Sequence, residues 1–275
     1  MVKKKTASKE SVIYKMKESA FIQTIFQYKK TMAAVGLDLL NMALIILLMY
    51  VISTTMATPL MNQSMWLANK GTDVKAYIES DAAFSAEQSA IVEAFTTGAS
   101  LFIIELAAIV LLFIFLTLIL TAAIQAYIWS IIKEIKFTKK LYLKTLWVVL
   151  VLHLFFIPVA GIFFLGNNLF FTIFVLGAYF IFMAWCNNVI FSIMTEDKEI
   201  LETIGEGIGL SIKKLWNYLP SVILVIAPAL LLGALVGSAL QSVIEPYISI
   251  YIVLLVFLSW SKVMFYIITK RLIDC

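Results

Sequence analysis

The sequence is short of charge. Only 14% of its 275 residues are Asp, Glu, Lys or Arg, against 62% hydrophobic, and the mean hydropathy is +0.99. A water-soluble domain needs more polar surface than that to cover its core, so the soluble classes are excluded. There is one histidine, His153, which excludes a zinc site built on paired histidines. The two cysteines, Cys186 and Cys275, fit no metal-ligand spacing and supply no disulfide framework. Short alternating strands are absent, which excludes a closed transmembrane barrel.

Catalytic constellations are missing as well. A serine nucleophile would need His153 as its base, and "VGSAL" at 236–240 lacks the second glycine of a nucleophile elbow. The aspartate-rich metal motif of phospholipid-building transferases is missing, and paired carboxylates occur only in 196–206. The chain reads as a non-enzyme with no metal and no cofactor.

What the sequence does have is long apolar runs. Six are near or above the roughly 20 residues that cross a bilayer: 31–56, 99–132, 145–165, 168–194, 217–240 and 247–269. The expected fold is all-α, a polytopic membrane protein with a six-helix transmembrane domain over 31–275. A lysine-rich amphipathic segment precedes it at 1–30. An external insertion is expected at 57–98, where "SAEQ" at 85–88 fits a capping box and places a helix start near Ala86.

Basic residues set the orientation. Eight lysines fall in 1–30, five in 133–144 and three in 195–216, with Lys270 and Arg271 in the tail; the opposite side has Lys70 and Lys75 alone. The positive-inside rule then predicts a cell-membrane protein with both termini in the cytoplasm. Its expected partners are the lipid bilayer, anionic headgroups at the cytoplasmic face and other membrane proteins. Nucleic acid is not among them, because the basic residues border the membrane.

Lysine pairs also mark a repeat. Lys29-Lys30, Lys139-Lys140 and Lys213-Lys214 each precede an outward-going helix, and the second and third pairs are 74 residues apart. The inward-going helices end in "WSIIKE", "FSIMTE" and "FYIITK", the last two again 74 residues apart. This predicts three tandem hairpins entered through amphipathic cytoplasmic elbows. Within the third elbow, 195–216, "GEGIG" at 205–209 matches neither a dinucleotide fingerprint nor a phosphate-binding Walker loop. On a helix, Ile200, Leu201, Ile204, Ile208, Ile212 and Trp216 share an apolar face that needs a membrane surface or a bundle to lean on.

Polar residues recur at one depth. Asp38 lies eight residues beyond Lys30, Gln125 eight before Lys133, His153 nine beyond Lys144, and Lys262 eight before Lys270. Asn188 lies eight before Glu196, with Asn187 beside it. At 1.5 Å per residue, all six sit about 12 Å inside the membrane. Asp38 and Lys262 have opposite charge and matching depth, which predicts an ion pair. The layer reads either as a lock between helices or as a chamber for a solute, headgroup or proton. Ala229, Gly233 and Gly237 recur every fourth residue, a spacing that lets two helices pack closely.

In its hairpin layout and in "EDKEILETIGEGIGLSIKKLWNYL", the chain resembles a broad group of uncharacterised prokaryotic six-helix membrane proteins. That group includes the membrane domain of some glycerophosphodiester phosphodiesterases. The resemblance implies a six-helix bundle in the cell membrane, and no phosphodiesterase motif accompanies it. In architecture the three hairpins are also similar to mitochondrial carriers, whose signature is absent, since Pro158 is followed by "VAGIF". Two functional readings follow: a membrane scaffold or assembly protein, and a small transporter or permease.

Overall fold

A computed structural model of the chain describes residues 19–79, 85–164, 182–240 and 246–274. The described residues are helical, with no strand among them. The helices are α1 (Ala20–Phe26), α2 (Tyr28–Glu79), α3 (Ala86–Lys133), α4 (Lys139–Phe164), α5 (Phe182–Ile193), α6 (Ile200–Lys213), α7 (Leu215–Leu240) and α8 (Pro246–Asp274). Four contain stretches long and apolar enough to cross a membrane: Tyr28–Met56, Ala86–Lys133, Leu215–Val236 and Ile252–Asp274. Large apolar side chains on them stand exposed, among them Leu47, Tyr50, Ile103, Leu111 and Leu231. Water penalises such surface and lipid does not, so the architecture is that of a membrane-embedded helical protein. The expected span at 145–165 overlaps α4, and most of that at 168–194 lies outside the described residues.

The chain forms two compact units, one over Met42–Ile119 and the other over the segments on either side. In the first, α2 does not stop at residue 56, where the sequence suggests that an insertion begins. It runs on to Glu79. Residues 60–79 contain no proline and one glycine, Gly71, and Lys70–Asp73 and Lys75–Glu79 form ion pairs at helical spacing, 3.6 and 3.7 Å. α3 starts at Ala86, where Ser85 Oγ accepts from the Gln88 amide (3.2 Å) and Gln88 Oε1 accepts from the Ser85 amide (2.8 Å). These two bonds satisfy helix-end donors that would otherwise be free. Gly98 lets the two helices close up, since a Cβ there would lie 2.5 Å from the Trp66 ring.

In the second unit, Trp185, Val189, Tyr218, Val225, Met264, Phe265 and Ile268 form a core between α5, α7 and α8. The Tyr218 and Phe265 rings stack with centroids 5.4 Å apart. The Tyr218 hydroxyl also shares a 2.9 Å hydrogen bond with Thr269 Oγ1, so its buried polar end is satisfied. Ala229 and Gly233 are buried on α7 and continue the line of Tyr218 and Val225 that faces α8. Gly237 lies within α7, and the burial of its position is outside the description. α1 packs on α8, where Trp260 Nε1 donates to Thr24 Oγ1 (2.9 Å).

The apolar stripe predicted for the third elbow is only partly the face that packs. α6 buries Thr203, Ile204, Gly207 and Ser211, while Leu201 (74%), Ile212 (59%) and Trp216 (77%) stay exposed. Apart from Ile204, the small residues rather than the large ones meet the bundle. The reason is contact distance, because a Cβ on Gly207 would lie 2.4 Å from Ile190 Cγ1.

Candidate functional site

The polar layer divides in two. Asp38 from α2, Gln125 from α3 and Lys262 from α8 converge on one cluster. Thr31, Ala34 and Asp38 are buried at spacings of three and four residues, so one face of α2 turns the carboxylate inward. Ala122 and Ala126, both fully buried, bring α3 close enough for Gln125 to reach it. Lys262 Nζ donates to both carboxylate oxygens of Asp38, at 2.7 and 2.6 Å, and to Gln125 Oε1 at 3.1 Å. Gln125 Nε2 in turn donates to Asp38 Oδ1 at 3.0 Å. Asp38 and Lys262 are 8% and 9% exposed, so three helices are tied through groups removed from solvent. The ammonium's three donors are all engaged, which is the condition for a buried ion pair to be tolerated.

Asn188 belongs to this locked half, donating to Ser261 Oγ at 3.4 Å one residue from Lys262. His153 and Asn187 do not. They line a cavity of about 260 Å³ together with Thr121, Gln125, Leu152 and Met183. His153 Nδ1 lies 2.7 Å from the Val149 carbonyl oxygen, so Nδ1 carries a proton and donates it to that carbonyl. The buried Asn187 Oδ1 has no hydrogen-bond partner among the described residues. Gln125 is the shared wall, touching the ion pair and the cavity at once. Glu105, on the apolar part of α3, is exposed.

A second set of contacts was not anticipated from the sequence. Lysines at the helix ends donate to backbone carbonyls of other elements: Lys30 to Ile132 O (3.1 Å), Lys133 to Met194 O (2.6 Å) and Lys144 to Thr195 O (2.6 Å). Lys144 also donates to the Lys198 carbonyl, and Thr138 Oγ1 to Glu196. The last carbonyls of α3 and α5 lack partners within their own helices, and the negative end of each helix dipole favours a cation there. Of the boundary lysines, Lys30 pairs with Glu134 at 2.8 Å and Lys140 with Asp197 at 3.5 Å. Lys29, Lys139, Lys213 and Lys214 are exposed. The signal for these bonds is a helix end without Gly or Asn to cap it, combined with a lysine in a terminal turn or two of another helix.

Glu134 closes α3 with a positive φ of 58°. The Ile135 amide reaches Ser130 O (3.0 Å) and the Glu134 amide reaches Ile131 O (3.3 Å), the pattern of a Schellman cap. Its carboxyl is held below the ordinary 4.5 by the hydrogen bond from Lys30 and then by that lysine's charge. A depressed carboxyl pKa stabilises the fold above the unfolded value and loses that contribution as pH falls through the folded one. Thermal unfolding followed from about pH 6 to about pH 3 should therefore show an acid-dependent loss below pH 4.5. In Lys30→Met that component should be absent.

Among the described residues, no cluster of three or more His, Cys, Asp or Glu side chains could hold a metal ion.

No family model, curated protein or solved structure matches this chain. The functional reading therefore rests on the geometry.

Proposed function

We propose that this is a non-enzymatic multi-pass protein of the cell membrane that serves as a scaffold or assembly partner, its bundle held by an internal polar lock. The observation that carries the proposal is the saturation of the cluster. Asp38, Gln125 and Lys262 satisfy one another, which leaves none of their charges free for a substrate. Six spans in three hairpins with cytoplasmic termini complete the reading. It is supported by the way Lys30, Lys133 and Lys144 gather the ends of α3 and α5 at one lysine-rich side.

A permease is the second reading, and the cavity of about 260 Å³ beside the lock favours it. Its polar lining includes no Asp, Glu, Lys or Arg, and offers an acceptor at Asn187 Oδ1. Such a site would suit a small uncharged solute that donates hydrogen bonds. Mass spectrometry of small molecules that co-purify with the protein in mild detergent separates the two. The scaffold reading expects no solute whose retention depends on Asn187. A solute held by the parent and lost on Asn187→Leu, with the unfolding temperature unchanged, would replace it with the permease.

A further inference from the structure

The three glycines of α6 have different surroundings. Gly207 is explained by its contact with Ile190. At Gly205 and Gly209 a Cβ would meet no atom within 4 Å among the described residues. Each lowers helix propensity by about 1 kcal/mol relative to alanine, and packing gives no reason for either. Both face a cavity of about 840 Å³ between α5, α6 and the last turns of α8.

The cavity is charged on one side and apolar on the other. Lys198, Lys213 and Lys270 line it, together with the carboxylates Glu206 and Asp274. Lys198 pairs with Glu206, and no ion-pair partner for Lys213 or Lys270 is seen among the described residues. Three lysines against two carboxylates leave one positive charge. Hydroxyls come from Ser192, Thr195 and Tyr266, while Ile193, Leu210 and Ile273 supply apolar wall. It opens where the apolar stretch of α8 ends in Lys270 and Arg271, beside α6 with Leu201 and Ile212 exposed and the start of α7 with Trp216 exposed. An amphipathic helix with an exposed leucine, followed by an exposed tryptophan at the start of the next helix, suits the headgroup level of a bilayer.

We propose that this cavity binds the phosphodiester headgroup of an anionic glycerophospholipid. The phosphate would meet Lys213 and Lys270, the first carbons of the acyl chains would lie on Ile193, Leu210 and Ile273, and the bare backbone at Gly205 and Gly209 keeps the floor open. One phosphodiester carries the single negative charge that balances the lining. A zwitterionic lipid brings no net charge, and a free phosphate cannot use the apolar wall.

The test is native mass spectrometry of the full-length protein with phosphatidylglycerol, phosphatidylcholine or inorganic phosphate, alongside thermal unfolding. One phosphatidylglycerol should bind at least about tenfold more tightly than phosphatidylcholine, and millimolar phosphate should neither compete nor protect. The exposed pair Lys213→Gln/Lys270→Gln should weaken phosphatidylglycerol binding about 30-fold, from the attraction of two surface lysines for an anionic lipid. Gly205→Leu/Gly209→Leu should abolish it without lowering the unfolding temperature of the lipid-free protein. Equal binding of the two lipids, undiminished binding by the lysine pair, or competition by phosphate at equal strength would each overturn the assignment.

Discussion

Lys262→Met alone is expected to destabilise the protein by about 3–5 kcal/mol, the usual consequence of leaving one member of a buried ion pair without its partner. The Asp38 carboxylate, 8% exposed, would keep only the Gln125 amide of the hydrogen-bond donors that now face it. Removing both charges, as in Asp38→Leu/Lys262→Met, should recover most of that loss, because a buried pair exchanged for apolar groups of similar volume is often neutral. It should not recover all of it. Gln125 donates to Asp38 and accepts from Lys262, so the double variant leaves a half-buried amide without these partners, at a cost of about 1 kcal/mol, the low end for an unsatisfied polar group. Adding Gln125→Leu should bring the triple variant close to the parent. The ranking of single, double and triple can be measured as unfolding free energies in detergent, by denaturant titration followed through tryptophan fluorescence. A single variant as stable as the triple would mean that Asp38 and Lys262 are not paired in the membrane-embedded protein.

Asp38 and Lys262 could be paired from sequence because both quantities that matter, depth and charge, are readable from residue counting. In a bilayer a span must start near its boundary charge, so eight residues from Lys30 and eight from Lys270 fix comparable depths. Gln125 follows by the same count. The count cannot say which residues at one depth share a neighbourhood, since that depends on helix rotation and on which helices are adjacent. Hence His153 and Asn187, at the same nominal depth, line the cavity, while Asn188 turns to Ser261.

The bonds from lysine to carbonyl were hidden for a related reason. A lysine pair at a membrane boundary announces itself as orientation. That Lys133 caps α5 or Lys144 the segment after it depends on tertiary placement across 61 and 51 residues of chain. The α3 start at Ala86 was legible because its capping box is local and chemically specific. The length of α2 was not. Chemically, residues 57–79 suit either a helix or a polar surface segment, and one proline near the start of the stretch does not decide between them.

Gly207→Leu is the second large effect expected, a loss of about 3 kcal/mol at the upper end of overpacking penalties. Even the first added carbon would sit 2.4 Å from Ile190 Cγ1 and 2.8 Å from Ile190 Cα. The side-chain atom could rotate away, but the backbone atom cannot, so α6 has to lift from α5. Lifting would expose Ile204 and strip cover from Thr203 and Ser211, which are buried on the same face. The amphipathic helix would then hold only to the membrane surface through Leu201 and Ile212. Hydrogen exchange should therefore quicken along α6 and much less in the core around Tyr218 and Phe265. The neighbouring glycines make the control. Gly205→Ala and Gly209→Ala meet open space, so each should stabilise the helix by about 1 kcal/mol. Three glycines within five residues would thus give opposite signs according to which way each faces. If alanine at 207 were as well tolerated as at 205 and 209, the close approach of α6 to Ile190 would be refuted.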